Sequence, residues 1–363
     1  MGFLERFHFA EDGRMTRADA LCAFIKEEIA FGRIKAGDAI PTIKELAEGS
    51  GLTFRVARGV VERLVREGYV RSRPRVGTLV LPRDIPVLHG RVVLAMPDVD
   101  VSSYHVMQIA DVLHRRMTEA GYMFSTVAFS QDAREELTFL KYELSRTPDL
   151  VIAIYAPPHV RSFLRGTGTS CIFTYGDQPE EGLEDRWIRF SADEALANFA
   201  AHCKREEVRS VIEVRFEGNE CPDAQPVLAA EGIDSIRMTI PCRRELGRCE
   251  GIERSAYETF LAMPYREFPD LFLFWDDFVA QGALTAFLKR RVHIPDDVKI
   301  VALSNKGLGP VYTDSLTRFE CDAADTGEKI AAFAQSVLSK GRLPPPPVIK
   351  PLYVFGRTFP YSP

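Results

Sequence analysis

The sequence predicts an α/β chain in two parts: a small helical module ending in a two-stranded wing, then a large two-lobed domain of parallel sheets wound by helices on both faces. Three observations carry this reading. At 363 residues the chain exceeds one ordinary domain and suits one small domain plus one large. Its net charge of −5 is uneven, because Met1–Asp84 holds fifteen Lys/Arg against twelve Asp/Glu (+3) and the remainder carries −8. Beyond residue 90, short β-rich runs alternate with helical segments, which is the rhythm of parallel sheets crossed by helices.

Three helix starts are legible in the first eighty residues. Thr16-Arg17-Ala18-Asp19 has capping-box spacing, in which a hydroxyl accepts from a backbone N–H and the acid three residues later reaches back. Leu21, Phe24, Ile25 and Ile29 then recur at helical spacing, and Gly32, Gly37-Asp38 and Pro41 end the helix. Thr42-Ile43-Lys44-Glu45 is a second box, opening a short helix that closes near Gly49-Ser50-Gly51. Thr53 caps a third helix running to about Arg66 and stopped by Gly68. On that helix Ala57, Val60, Val61 and Leu64 fall at i, i+3, i+4, i+7 and must face the other two, leaving Phe54, Arg55, Arg58 and Glu62 opposite.

A short helix, a glycine turn and a second helix with a basic leading end describe a helix-turn-helix, whose second helix sets its first turns in the major groove of DNA. Tyr69–Arg73 and Gly77–Val80 follow as short strands around Pro74-Arg75-Val76, a basic wing suited to phosphates or a groove. Within Thr53–Arg83 eight arginines stand against two acids, Glu62 and Glu67, where an ordinary solvated face would mix the signs.

Ile40–Ala47, Gly51-Leu52-Thr53, Glu67–Val70 and Gly77-Thr78 together resemble the GntR-type winged helix, without gaps from Ile40 to Val80. The resemblance implies DNA contacts from Lys44, Thr53, Arg55 and Arg58, and from the wing at Arg75 and Gly77. Phe54 and Arg75 depart from the family pattern. Phe54 either meets a thymine methyl or packs against the chain.

Residues 1–81 are therefore expected to form the winged helix-turn-helix, 82–89 (with Pro82 and Pro86) a short linker, and 90–363 the large domain. In the latter, Arg91–Met96 reads as a buried strand, followed by a helix from about Val106 to Glu119 and a strand over Gly121–Phe129. A helix over Arg134–Ser145 and strands over Asp149–Ile154 and Ser170–Thr174 come next. Ser191-Ala192-Asp193-Glu194 has box spacing before a helix over Ala195–Lys204. Strands over Ser210–Val214, Ser235–Thr239, Leu271–Phe274 and Val298–Leu303 follow, with a helix over Phe278–Arg290 before the last. Two successive doubly wound sheets predict two lobes facing across a cleft, with ligands outside the carboxyl ends of strands.

Pro269–Asp277, Ala280–Leu284, Val292–Leu303 and the closing Pro351–Val354 with Arg357 resemble the effector domain of LacI/GalR-type repressors, which is periplasmic-binding-protein-like. That resemblance extends over roughly Gly90–Pro363, is sharpest in the last third, and implies lobe crossovers near 191, 304 and 325. It also implies that Asp277 hydrogen-bonds sugar hydroxyls, as an ionised carboxylate readily does. The alternative is that Asp277 only caps the helix beginning near Phe278. Tyr104 and His105 occupy a loop where the family sets an aromatic against its ligand, or are ordinary loop residues. Arg215, at a strand end where a glycine is typical, could reach the cleft. The family's Arg-x-x-Gly is missing at Glu220–Asp223, no tryptophan stands near Cys249–Ile252, and Ser304-Asn305 replaces an acidic turn. A cleft so altered binds something other than a simple neutral sugar, or binds nothing and leaves the domain only to dimerise.

Enzyme chemistry finds no P-loop, no G-x-G-x-x-G after a strand, no H-E-x-x-H and no nucleophile elbow. The seven cysteines are scattered singly, without metal or redox spacing, so no metal or cofactor is expected. Met1–Arg14 lacks an apolar stretch of the signal-peptide kind, and no apolar run approaches the ~20 residues of a membrane span. The expectation is a cytoplasmic, homodimeric repressor of transcription, its partners being operator DNA and a small, sugar-like effector.

Overall fold

The computed structural model describes the chain apart from residues 1–2, 10–15, 75, 83–87, 99–102, 131, 176–178, 180, 219–220, 243–247, 311, 313–314, 340–341 and 362–363. Arg75, Glu220 and most of the expected linker, Pro86 included, lie outside the described residues. Two compact units separate: Met1–Met96 with His114–Cys171, and Pro97–Leu113 with Ile172–Pro363.

The first unit opens with a 3-10 turn at Phe3–Arg6, then α1 (Arg17–Ala30), α2 (Ile43–Ser50), α3 (Phe54–Arg66), β1 (Val70–Arg73) and β2 (Gly77–Val80). All three threonines cap as their spacing predicts. The box at Thr42 is complete: its hydroxyl accepts from Glu45 N at 3.3 Å, while the Glu45 carboxylate accepts from Thr42 N at 2.7 Å. The Thr42 backbone N–H and, at 2.8 Å, its hydroxyl both donate to the Glu45 carboxylate and lower its pKa. At Thr16 the Asp19 carboxylate accepts from the Thr16 hydroxyl at 2.6 Å, while that hydroxyl accepts from Asp19 N at 3.1 Å. Gly51 ends α2 with φ 68°, a left-handed backbone that glycine adopts without steric cost.

The four α3 residues expected inside are those buried: Ala57, Val60, Val61 and Leu64 join Leu21, Ile25, Leu46, Val70 and Val80 in one core. Arg63 clips α3 to α1 through Asp19 at 2.7 Å, and Phe3 and Phe7 pack on Phe24 of α1. β1 and β2 pair antiparallel from Val70↔Val80 to Arg73↔Gly77, with Ala39 bridged to Leu79.

The unit continues through β3 (Gly90–Pro97), α4 (Tyr104–Glu119), β4 (Tyr122–Phe129), α5 (Thr138–Ser145), β5 (Leu150–Ile154) and α6 (Pro158–Gly166). Strands run in the order β5-β3-β4, and β3 is buried along its whole length, as the apolar run Val92–Met96 predicts, with Arg91 buried beside it through ion pairs. The helical module is tied to this layer by ions. Glu27 of α1 accepts from Arg91 at 3.1 Å and lies 3.7 Å from Arg146, while Arg91, only 3% exposed, lies 3.8 Å from Glu143.

The second unit holds the start of α4 and then β6 (Cys171–Thr174), β7 (Trp187–Phe190), α7 (Asp193–Arg205), β8 (Ser210–Phe216), α8 (Gln225–Ala230), β9 (Asp234–Ile240) and α9 (Arg248–Ala262). It ends with β10 (Leu271–Phe274), α10 (Asp277–Arg290), β11 (Lys299–Asn305), β12 (Thr317–Cys321), α11 (Ala323–Leu338), β13 (Val348–Ile349) and β14 (Leu352–Val354). Six strands form a sheet of order β14-β12-β11-β10-β8-β9. Alternate residues of β10 feed opposite cores: Phe272 and Phe274 pack with α9 and α10, whereas Leu271 and Leu273 pack with α7 and α8. Both faces of the sheet are therefore covered, the doubly wound arrangement that the sequence predicts. β6, β7 and β13 lie side by side and parallel.

Three expectations are corrected. The sheet is not wholly parallel, because β14 returns antiparallel to β12, pairing Phe319 with Tyr353. The helix expected from Arg134 starts only at Thr138, since Asp132 draws the Arg134 backbone N–H (2.9 Å) and guanidinium into a local turn. The box expected at Ser191–Glu194 does not form. Ser191 Oγ instead donates to the Asp193 carboxylate at 2.8 Å, and α7 begins two residues earlier than expected, behind Ala192. Among the described residues no helix is long and apolar enough to cross a membrane.

Candidate functional site

Two surfaces concentrate the candidate residues, and they are built differently. The first lies on α3 and the wing. Burial of the Ala57–Leu64 stripe turns the opposite side of α3 outward, so Phe54 (57% exposed), Arg55 and Arg58 stand in solvent beside Thr53 at the helix start. Thr53 Oγ1 accepts from Val56 N at 3.4 Å. Phe54 therefore makes no core contact, which leaves its ring available to a partner. Arg58 lies 2.9 Å from Glu62 one turn on, an exposed pair of the kind worth little, so the guanidinium can exchange partners readily. Lys44 lies 3.9 Å from Glu48 on the exposed side of α2. Arg71 and Arg73 of β1 are exposed, and Gly77 starts β2 at φ 111°, which a side chain would strain.

The second concentration lies wholly within the second unit. Asp277 is not the cap of α10. Asp276 fills that role, accepting from Val279 N at 3.0 Å, and Asp277 is the first helical residue. Its Oδ2 accepts from Asn305 Nδ2 at 3.1 Å, at the end of β11. Asn305 Oδ1 lies 3.0 Å from His105 Nδ1 in the first turn of α4, and His105 Nε2 lies 2.6 Å from the Tyr175 hydroxyl just after β6. The partners fix the protons. Asn305 turns its amide N–H₂ to Asp277 Oδ2 and its carbonyl to His105; His105 then donates from Nδ1 and accepts at Nε2 from Tyr175. A neutral imidazole satisfies every link, in keeping with burial, which lowers the His105 pKa. Burial, reinforced by the charge of Asp276, pushes Asp277 up to about 7, while Asn305 and the first α10 backbone N–H groups pull the other way. Tyr175 holds its ring there at φ 59°, a left-handed backbone unusual for a bulky residue, with the ring edge-on to His105.

Of the residues singled out from sequence, His105 and Asp277 are thus joined through Asn305. Tyr104 is 61% exposed on the first residue of α4 and outside that chain of hydrogen bonds. Arg215 makes no hydrogen bond to it and sits near the end of β8, the strand paired with β10. Asn305 and Tyr175 escaped the sequence reading. The first was visible only as a departure from an acidic turn, and the second depends on a backbone conformation that no local pattern announces.

Residues 17–80 match the family model described as bacterial regulatory proteins, gntR family, and residues 191–359 match that of the periplasmic binding protein-like domain. A curated relative, the uncharacterized HTH-type transcriptional regulator YdcR of Escherichia coli K12, is 28% identical over 92 residues, 25% of this chain and 20% of that protein. The chain thus spans about a fifth of that relative's length. A LacI family transcriptional regulator from Arthrobacter sp. FB24, solved with lactose, superposes with a TM-score of 0.59 at 18% identity, covering 74% of this chain and 99% of the other. The Escherichia coli transcriptional repressor ascG superposes with a TM-score of 0.58 at 13% identity, covering 75% and 100%. At such identities the likeness is one of fold.

Proposed function

Because the chain joins a gntR-type helix-turn-helix to a periplasmic-binding-protein-like domain, we propose that it is a sequence-specific repressor of transcription controlled by a small, sugar-like effector. As a homodimer it sets two copies of α3 on the half-sites of a palindromic operator in the cytoplasm. Thr53, Arg55 and Arg58 lie against base edges and phosphates, Phe54 against a thymine methyl, Lys44 against the backbone, and the wing around Arg75 and Gly77 against the flanking groove. The effector is held by Asp277 and His105, with Tyr104 and Arg215 at its margin, and its binding alters the spacing of the two recognition helices and so the operator affinity.

One observation carries the reading: α3 buries its whole apolar stripe and presents to solvent a leading end of threonine, phenylalanine and two arginines. Selection of full-length protein against random duplex DNA at moderate salt tests it. The expected result is enrichment of a two-fold palindrome whose affinity falls with rising salt as counterions are released. Failure to enrich any duplex would remove the DNA-binding reading. Enrichment of a single, unrepeated half-site would remove the homodimer.

A further inference from the structure

The second unit contains a guanidinium with two shielded donors that find no acceptor among the described residues. Arg215 is the penultimate residue of β8, and its Nε and Nη2 are shielded from solvent without an acceptor among the described residues. Glu213, two residues back on the same face of the strand and fully buried, accepts through Oε2 from Trp275 Nε1 at 2.9 Å and from Ala224 N at 3.2 Å. Asp223 pairs with Arg237 at 2.8 Å. Cys221, close enough to feel the charges of Arg215 and Glu213, is pushed up to about 11 by burial and remains a neutral thiol. Arginine cannot relieve the situation by losing its proton, and donors shielded from water without an acceptor are costly.

The two unpartnered donors are specific in their geometry. Nε–H and Nη2–H lie side by side on one edge of the guanidinium plane, the parallel fork that matches two oxygens of a carboxylate or phosphate. The fork also lies where a fold of this type receives its ligand. Val214 pairs with Phe274, so Arg215 and the run Trp275-Asp276-Asp277 leave the carboxyl ends of neighbouring parallel strands together. Glu213 Oε1, likewise without a partner, supplies an acceptor on the same strand face. That suits a hydroxyl adjacent to an oxyanion.

We propose that the effector of this protein is anionic: a polyhydroxylated small molecule bearing a carboxylate or phosphate whose oxygens bridge Nε and Nη2 of Arg215. The proposal rests on the reading of the second unit as a small-molecule sensor and names the chemistry it senses. Neutral sugars lack the group that Arg215 selects, and bare inorganic anions lack the hydroxyls that Asp277 and Glu213 accept from.

Full-length protein titrated by calorimetry and thermal shift tests this with matched probes: glucose, galactose and arabinose, their uronic and aldonic acids, their phosphate esters, and inorganic phosphate and sulfate alone. At least one acid or ester is expected to bind about tenfold or more tightly than its neutral parent, and the two sets of probes tell carboxylate from phosphate. Arg215→Gln should lose about tenfold or more of that affinity, Arg215→Lys should keep part of it, and unliganded Arg215→Gln should melt no lower than wild type, since it removes two shielded donors that have no acceptor among the described residues. Neutral parents binding as tightly as their acids would overturn the proposal while leaving the sensor intact. So would an acid that Arg215→Gln holds as well as wild type does, or inorganic anions binding as well as any ester. Silence from every probe would overturn the sensor reading and this proposal with it.

Discussion

The leading end of α3 and the polar chain at Asp277 are built on opposite plans. On α3 every candidate residue falls within one helix and its cap, Thr53–Arg58, the side chains stand in solvent, and the fold's task is only to anchor the opposite stripe. The Asp277 site draws on four segments, at His105, Tyr175, Asp277 and Asn305, and withdraws them far enough from water to raise the carboxyl and lower the imidazole pKa. The exposed surface spends little stability on its function. The buried one carries a cost that a bound molecule can offset.

The largest effects should come from the two cores and should separate the regions cleanly. Leu64→Ala empties a fully buried position beneath α3 and is expected to cost about 2–5 kcal/mol. DNA binding should be lost in urea-titrated samples well before the second unit unfolds. Gly282→Ala tests the converse. A Cβ there would lie 2.2 Å from the Glu253 backbone oxygen where α9 crosses α10, so a cost of about 1–3 kcal/mol should fall on the second unit and on ligand binding, with DNA binding retained. Coincident loss of both activities in either variant would contradict the separation.

Within the surface proposed to face DNA, Arg58→Ala should weaken binding to the selected duplex by ~1–3 kcal/mol if the guanidinium reads a base, and should relax the preference at one position. An unchanged gel-shift affinity would remove Arg58 from the interface. At the buried site the sign with pH is distinctive. Asp277 holds its proton up to about 7 against an ordinary value of 3.8, so its contribution to stability is most favourable below pH 4 and is lost as pH rises toward 7. Asp277→Asn escapes that loss. Its melting temperature should match wild type near pH 4 and exceed it above pH 7 by the equivalent of about 1–2 kcal/mol, with the ligand response abolished. A constant difference across that range would mean the carboxyl ionises normally. The smallest effect is expected at Thr53→Ala, which removes the α3 cap for about 1 kcal/mol and slightly loosens DNA binding.

The same contrast explains what the sequence made legible. Helical periodicity and capping act over three or four residues, so the buried face of α3, its cap and the two wing strands follow from reading along the chain. The doubly wound sheet was equally plain in the apolar runs of β3 and β10. At Asp277 the capping alternative was open until the backbone resolved it: Asp276 takes Val279 N, which frees Asp277 for Asn305. The link from Asn305 to His105 spans two hundred positions, and Tyr175 joins it through a left-handed backbone; neither has a local signature. The antiparallel return of β14 escaped for the same reason, because strand direction is decided by partners distant in sequence.

We propose that occupancy of the Asp277 site governs DNA affinity at α3, and fluorescence anisotropy with the selected duplex measures this directly. Full-length protein should lose about fivefold or more in DNA affinity when saturated with the acid or phosphate ester that stabilises it, and Asp277→Asn should show the wild-type affinity with and without that compound. An identical DNA affinity for the wild-type chain in the presence and absence of the saturating compound would contradict it.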